Sequence, residues 1–453
     1  MNPMIIYNAA PIWIQNILTS LQGYKYRKER YGYEYNQYLI ELRKRDYTNI
    51  SKLSILQDSL VADIVRFAFD HSPFYKKFYQ GIEIDNIKSV KDLQYLPILE
   101  KETVRSNIRS IYTIPINEGI KSSTSGTTGT SMTFLYTKKN FQRRMAYLDF
   151  FKEQNGFVHM KMKRASFNSA KIVPANQKKP VFWRDNLAIK QRIYSGYHCQ
   201  GENLKYYVDN LNKYKPHSMD GYPSSMYQLA KYIVSNNIKL KFKPVGIFPT
   251  AETLLPHYKT MIEKAFDCPV LDQYASSEGA PFITACKYGN LHYCMDTGVI
   301  EVDEDGEMLI TCFETHGTPL IRYRIGDKIT FSSQLKRCPC GSCLPIVERI
   351  DGRGHDFLMS KSKGKFPALY MSLVSAEFQN SVKAMQFIQD TLDEIKVLLE
   401  VDENYNSEMN KIIIDKLHYS LGKDMIITVN IVKNIPKDKS GKFRFIINSV
   451  QNI

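Results

Sequence analysis

No apolar run in the chain reaches about eighteen residues, so no segment is expected to cross a membrane as a helix. Tryptophan is scarce, at two residues in 453, and eight cysteines are too few to staple a chain of this length. That excludes a disulfide scaffold and leads us to expect reduced cysteines in a cytoplasmic setting. The opening M-N-P-M-I-I-Y-N-A-A-P-I-W-I has no basic residue ahead of its apolar ones, which argues against a secretory signal. It reads instead as an amphipathic segment packing on the body. The G-x-x-x-x-G-K-[ST] phosphate loop is missing. So are zinc-finger and RNP1 signatures, which argues against nucleic acid as a partner. No internal repeat is visible.

What is present describes a folded protein of two or three domains, with 43% apolar and 24% charged residues. The formal charge is +15. Basic residues are densest from Lys25 to Arg45, where a solvated helix face is the ordinary explanation. An anionic membrane surface, nucleic acid or an acidic partner such as an acyl carrier protein are the sharper ones.

One stretch stands apart. Residues 122–131 read S-S-T-S-G-T-T-G-T-S, with no side chain larger than threonine. Glycine lets the backbone approach an anion closely, and hydroxyls and bare N–H groups can then surround a phosphate. A flexible Ser/Gly linker has the same composition.

Around this loop the chain falls into an α/β pattern. Residues 1–115 read as mostly helical, with 51–70 carrying apolar residues at spacings of three and four. M-T-F-L-Y-T (132–137) is β-rich, and Asn140 opens a further helix. A helix over 222–235, a strand over 245–250, a helix over 256–266 and a strand over 269–274 imply a mainly parallel, helix-covered sheet. From 291 to 331, short strands and turns suggest an antiparallel or barrel-like part. Asp351-Gly352-Arg353-Gly354 marks a boundary. The expected organisation is a large domain, 1–352, and a small mobile α+β domain, 353–453. Strands are expected in the latter near 356–360, 395–401 and 425–432, with helices near 370–380 and 406–421.

Five separated motifs then line up: S-S-T-S-G-T-T-G-T-S; T-A-E (250–252); Y-A-S-S-E-G (274–279); Y-R-I-G-D (323–327) with D-G-R (351–353); and K-S-G-K-F-R (439–444). In this order the chain resembles the adenylate-forming superfamily of acyl-CoA synthetases, peptide-synthetase adenylation domains and luciferases. Within it the chain looks most like the phenylacetate–coenzyme A ligase branch, including its capsular-polysaccharide CapK-type members. Cys286-x5-His292 and R-C-P-C-G (337–341) are similar to that branch's pattern.

The resemblance implies ATP-dependent activation of a carboxylate, then transfer to coenzyme A, a carrier-protein phosphopantetheine or an amino-sugar acceptor. Both reactants of the first step are anionic, so positioning and neutralisation supply most of the catalysis. Ser125, Gly126, Thr127, Thr128, Gly129 and Thr130 would hold the β- and γ-phosphates. Thr130 and Met132 stand where many relatives have a lysine, so greater reliance on Mg²⁺ is expected. Glu278 would ligate that Mg²⁺. Asp327 would accept from the ribose hydroxyls, with Arg353 as a nearby cation. Ala251, Glu252, Tyr274 and Ser276 would border the adenine. Tyr222, Ser277, Tyr197 and His198 are candidates for the acid's pocket. Lys442 would swing in with the small domain to stabilise charge on the carboxylate and α-phosphate. His355, followed by Asp356, stands where relatives carry an acidic or lysine hinge residue, which puts the hinge in question.

Cys286, His292, Cys338 and Cys340 suit tetrahedral structural Zn²⁺, with Cys343 or Cys294 as substitutes for one ligand. Two rival classes remain: a catalytically silent binding member of the family, and a basic nucleic-acid-binding protein.

Overall fold

The computed structural model describes residues 3–450 apart from 124–131, 169–171, 175, 176, 178, 197, 200, 334–336, 354–356, 368–370, 372, 373, 376, 379 and 437–442. The chain begins with six helices, α1 (Pro3–Ala9), α2 (Ile12–Arg30), α3 (Tyr33–Lys44), α4 (Ile50–His71), α5 (Pro73–Phe78) and α6 (Lys101–Ile111). α4 starts where the Asn49 side chain accepts the Lys52 N–H, satisfying one of the donors a helix start leaves open. Its inner face, Leu53, Val61, Ile64, Val65 and Ala68, lies in the largest core beside the antiparallel sheet described below. The Lys25–Arg45 run is only partly a solvated face: Arg45, itself partly buried, pairs with the buried Asp296 at 2.5 Å.

A hairpin follows, β1 (Ile120–Ser123) and β2 (Thr133–Tyr136), paired from Ile120↔Tyr136 to Ser123↔Thr133. The next helix, α7 (Lys138–Gln154), is capped by Thr137, whose hydroxyl accepts the Asn140 N–H at 3.1 Å. Asn140 is thus inside the first turn rather than at the start.

The parallel sheet comprises β3 (Arg164–Asn168), β4 (Trp183–Asn186), β5 (Gln191–Ser195), β6 (Ser218–Gly221) and β7 (Gly246–Pro249), in the order β4-β5-β3-β6-β7. Only β4, at the edge, runs antiparallel. β7 reads G-I-F-P and is buried along its length, as expected of a strand covered on both faces. The covering helices are α8 (Leu204–Tyr214), α9 (Pro223–Ser235) and α10 (Pro256–Phe266). α9 and α10 each open on proline, whose missing N–H and fixed φ suit the first helical position.

The antiparallel part is a seven-stranded sheet: β8 (Gln273–Tyr274), β9 (Ile283–Ala285), β10 (Leu291–Tyr293), β11 (Gly298–Val302), β12 (Glu307–Cys312), β13 (Tyr323–Phe331) and β14 (Ile346–Arg353). Its order is β11-β12-β13-β14-β10-β9-β8. The strand expected over 269–274 is shorter than its composition suggests. Val270 bridges Ile247 of the parallel sheet, and only Gln273–Tyr274 pair in the antiparallel one, because this segment carries the chain between the two sheets.

The last part has its own core. β15 (Phe357–Ser360) and β16 (Gly364–Pro367) form a hairpin, and β17 (Val382–Gln389), β18 (Glu394–Val401), β19 (Ile426–Ile431) and β20 (Ile446–Asn448) form a sheet in the order β19-β18-β17-β20. A helix over Glu408–Leu421 places Ile413, Leu417 and Leu421 in the same core as Val397 and Leu399. Much of the helix expected near 370–380 lies outside the described residues. No described helix is long and apolar enough to cross a membrane.

Candidate active site

The carboxyl ends of the parallel strands share one edge, the usual ligand position in such sheets. At the end of β6, Gly221 has φ +127°, and a Cβ there would meet the Phe167 carbonyl oxygen at 1.7 Å. Glycine is therefore required for the turn that delivers Tyr222, buried at the start of α9, whose N–H donates to Phe167 O at 3.0 Å. Thr250 N–H donates to Gly221 O at 2.9 Å, tying the end of β7 to that of β6. Ala251 then takes the left-handed conformation at φ +70°, which costs a non-glycine residue about 1–2 kcal/mol. This kink presents Glu252. One of its oxygens accepts the Ser224 N–H in the first turn of α9 at 3.1 Å; the other accepts the Phe443 N–H at 2.8 Å. Glu252 thus ties the sheet edge to the residue following Lys442.

His198, after β5, is buried with Nδ1 2.9 Å from Ser195 Oγ and its ring stacked on Phe182. Nearby, Cys199, Ser225, Tyr258, Glu400, Ile435 and Phe443 line a small cleft between the large and small cores. Lys231 crosses the same boundary, donating to Val382 O at 2.8 Å. Burial holds the Lys231 ammonium down to about 8, with Asp402 opposing.

The turn from β8 to β9 carries Y-A-S-S-E-G. Gly279 N–H donates to Ser276 O, and Ala280 N–H to Ser276 Oγ, both at 3.2 Å. Gly279 has φ +90°, and a Cβ there would meet Thr315 Cγ2 at 2.4 Å. Tyr136 Oη donates to Ser277 O at 3.0 Å, and Arg144 Nη1 to Gly279 O at 2.8 Å. Tyr136 and Arg144 were not singled out in the sequence. Arginine inside a helix reads as a solvated charge, yet Arg144 is buried over the Phe282 ring. These contacts fix a turn in which Glu278 is only 3% exposed. Among the described residues none hydrogen-bonds its carboxylate. A largely buried carboxylate to which no described residue donates suits a hard cation.

Tyr274 Oη donates to Asp327 Oδ2 at 2.5 Å. Their strands, β8 and β13, stand four steps apart in the sheet, about 19 Å if it were flat at about 4.8 Å per step. The sheet must curl to close that bond, which is the barrel-like character of this part. Gly326 at φ +86° and a register slip after Lys328 lie beside Asp327, where such irregularities re-aim a side chain. Arg353, on β14, is the register partner of Asp327.

Ser125, Gly126, Thr127, Thr128, Gly129, Thr130, Tyr197, His355 and Lys442 lie outside the described residues. The hydroxyl loop nevertheless springs from the hairpin pair Ser123↔Thr133, whose hydroxyls are 3.1 Å apart. The far end of β2 is Tyr136, which supports the Glu278 turn.

A second cluster lies on the antiparallel sheet. The ligand atoms of Cys286, His292, Cys338 and Cys340 all fall within 4.8 Å of one another. Cys286 Sγ and Cys338 Sγ are 3.7 Å apart, and Cys340 Sγ and His292 Nε2 are 3.5 Å apart. Tetrahedral zinc with ordinary bond lengths sets sulfurs about 3.75 Å apart and sulfur and nitrogen about 3.5 Å apart. His292 Nδ1 lies 3.2 Å from Leu344 O, which orients the ring, and Asn290 Nδ2 donates to Cys338 Sγ at 3.2 Å. Burial raises the Cys338 thiol, but hydrogen bonds from Cys340, Asn290 and His292 bring it down to about 6. Cys294 and Cys343 stand apart: Cys294 donates to His292 O, and Cys343 N–H donates to Tyr47 O.

The CapK C-terminal domain family model matches residues 358–449. Protein CapK of Staphylococcus aureus is 39% identical over 455 residues, covering 98% of this chain and 99% of its own. Phenylacetate–coenzyme A ligase of Thermus thermophilus is 20% identical over 88% of this chain and 96% of its own. A solved structure of 2-hydroxyisobutyryl-CoA ligase, in the postadenylation state with R3-HIB-AMP, has a similar fold. Its TM-score is 0.65 at 17% identity, over 86% of this chain and 88% of that one. The chain belongs to the CapK family.

Proposed function

We propose that this chain joins ATP and a carboxylic acid into an acyl-adenylate, then passes the acyl group to a thiol or an amine. The observation that supports this most is the contact between Glu252 and the Phe443 N–H, because it brings the residue after Lys442 to the carboxyl edge of the parallel sheet. In the first step a carboxylate oxygen attacks the α-phosphorus. The new O–P bond forms as the bond to the β-phosphate oxygen breaks, and pyrophosphate leaves. Ser125, Thr127, Thr128 and Thr130, with the N–H groups of Gly126 and Gly129, cradle the β- and γ-phosphates. Glu278 is the residue that would hold magnesium, which when bound neutralises phosphate charge. Lys442 stabilises charge on the carboxylate and α-phosphate. Asp327 accepts from the ribose hydroxyls with its orientation set by Tyr274, and Arg353 adds a fixed cation. Ala251, Glu252, Tyr274 and Ser276 border the adenine; Tyr222, Ser277, Tyr197 and His198 belong to the acid's pocket.

The acceptor is coenzyme A, a carrier-protein phosphopantetheine or an amino sugar of a surface polysaccharide. A boundary at 352/353 lets the small domain rotate between the two steps. Cys286, His292, Cys338 and Cys340 hold a structural zinc that clips the β9–β10 hairpin to the loop before β14. We place the protein in the cytoplasm.

Pyrophosphate exchange into ATP over a panel of carboxylic acids tests this proposal. Exchange is expected with at least one acid, falling by on the order of a hundredfold or more in Lys442→Ala while ATP still binds. Folded protein without exchange for any acid would mark a catalytically silent binding member; exchange unchanged in Lys442→Ala would remove the role of that lysine.

A further inference from the structure

The helix α2 is mounted with its polarity reversed. Along one stripe, Asn16, Ser20, Gly23 and Arg27 face the protein. Asn16 Oδ1 accepts the Asp185 N–H at 3.0 Å, and Ser20 Oγ donates to Asp185 O and accepts the Leu187 N–H. At Gly23 a Cβ would meet Asn186 Oδ1 at 1.9 Å, and Arg27 Nη1 donates to Ala188 O. The helix is thus fastened to β4 and the turn after it by polar groups and a glycine. Its apolar residues point away. Trp13, Ile17, Leu21 and Tyr24 follow one another at spacings of four, four and three, so they share one face. They are 64%, 49%, 59% and 50% exposed. Ile5 and Ile6 of α1 are exposed as well, and Gln15 joins α1 to α2 by donating to Tyr7 O and Ala10 O. The next residue of the stripe is Lys28, and Lys25 stands one turn after Leu21; both are exposed.

A surface helix normally buries its apolar face and exposes its polar one. Here the polar stripe is consumed by docking, and a contiguous apolar stripe ending in lysines is displayed. We propose that α1 and α2 form a docking face for an anionic phospholipid bilayer. The apolar stripe enters the boundary between headgroups and acyl chains, Trp13 sits at the interface, and Lys25 and Lys28 meet anionic headgroups. Charge complementarity favours this occupant over a second copy of the chain. The stripe contains no acid to face Lys25 and Lys28, and the chain as a whole carries a formal charge of +15. The helix lies along the surface and does not span.

Cosedimentation of the full chain with vesicles tests the proposal, using phosphatidylcholine alone and an equimolar mixture with phosphatidylglycerol. The chain should pellet with the mixed vesicles and not with the neutral ones. Ile17→Asp with Leu21→Asp should raise the lipid needed for half-binding at least about tenfold. Lys25→Gln with Lys28→Gln should raise it by roughly fivefold for each charge removed. All four side chains are exposed, so thermal unfolding should not change. Equal binding to both vesicle types, or mixed-vesicle binding untouched by either variant, would overturn the proposal. So would a wild-type dimer in light scattering that Ile17→Asp with Leu21→Asp converts to monomer, since that would make a second copy the occupant.

Discussion

Two glutamates at neighbouring strand ends sit in opposite surroundings. Glu252, after β7, has both oxygens engaged by backbone N–H groups, one from α9 and one from Phe443. Glu278, after β8, is as buried as a core residue, and among the described residues nothing donates to its carboxylate. A carboxylate engaged by two N–H groups positions chain segments; one to which no described residue donates keeps its oxygens for a hard cation. On this difference rests our proposal that Glu278 holds a metal, whereas Glu252 joins the sheet edge to the Phe443 backbone. In the proposed adenine pocket, the same contacts leave Glu252 to contribute position rather than charge.

The largest expected effect comes from Glu278→Gln, which keeps the shape and removes the charge. Exchange should fall by on the order of a hundredfold, with a higher Mg²⁺ requirement. Unaltered Mg²⁺ dependence would break the contrast. Next comes the sulfur cluster. Metal analysis of protein purified without added metal should find zinc, and Cys338→Ser should lose it along with a marked drop in the unfolding temperature, read by calorimetry. Glu252→Ala should act more modestly, lowering exchange about tenfold through misplacement of the Lys442 segment, with protection of the Phe443 amide from hydrogen exchange lost. The smallest effect is on pH dependence. Lys231 titrates at about 8 in the folded protein, against an ordinary 10.5. The unfolded chain therefore binds more protons between those values, so stability should rise as pH increases from about 8 to 10.5 and be flat below. Lys231→Met should abolish that rise.

Parts of this were legible from residues alone. The cluster of Cys286, His292, Cys338 and Cys340 was, because few residue types bind metal and their spacing is visible. So were β7, a fully apolar run, and α9 and α10, which open on proline. Segment 269–274 misled because its composition is that of one strand while the chain uses it to change sheets. The polarity of α2 could not be foreseen. Periodicity finds two faces, but which face meets the body depends on the backbone groups that Asn16 and Ser20 find on β4. Nothing in the sequence marks Tyr136 and Arg144 for a related reason: their partners are carbonyls of a distant turn, and no local spacing announces those.

The central claim is that Glu278, not Glu252, holds the cation beside the phosphates. A crystal structure with a non-hydrolysable ATP analogue and Mn²⁺, the ion located by its anomalous signal, tests it most directly. Mn²⁺ is predicted within coordination distance of the Glu278 carboxylate, with Glu252 still bound to Ser224 and Phe443. An ion bound to Glu252, or to neither, would contradict it.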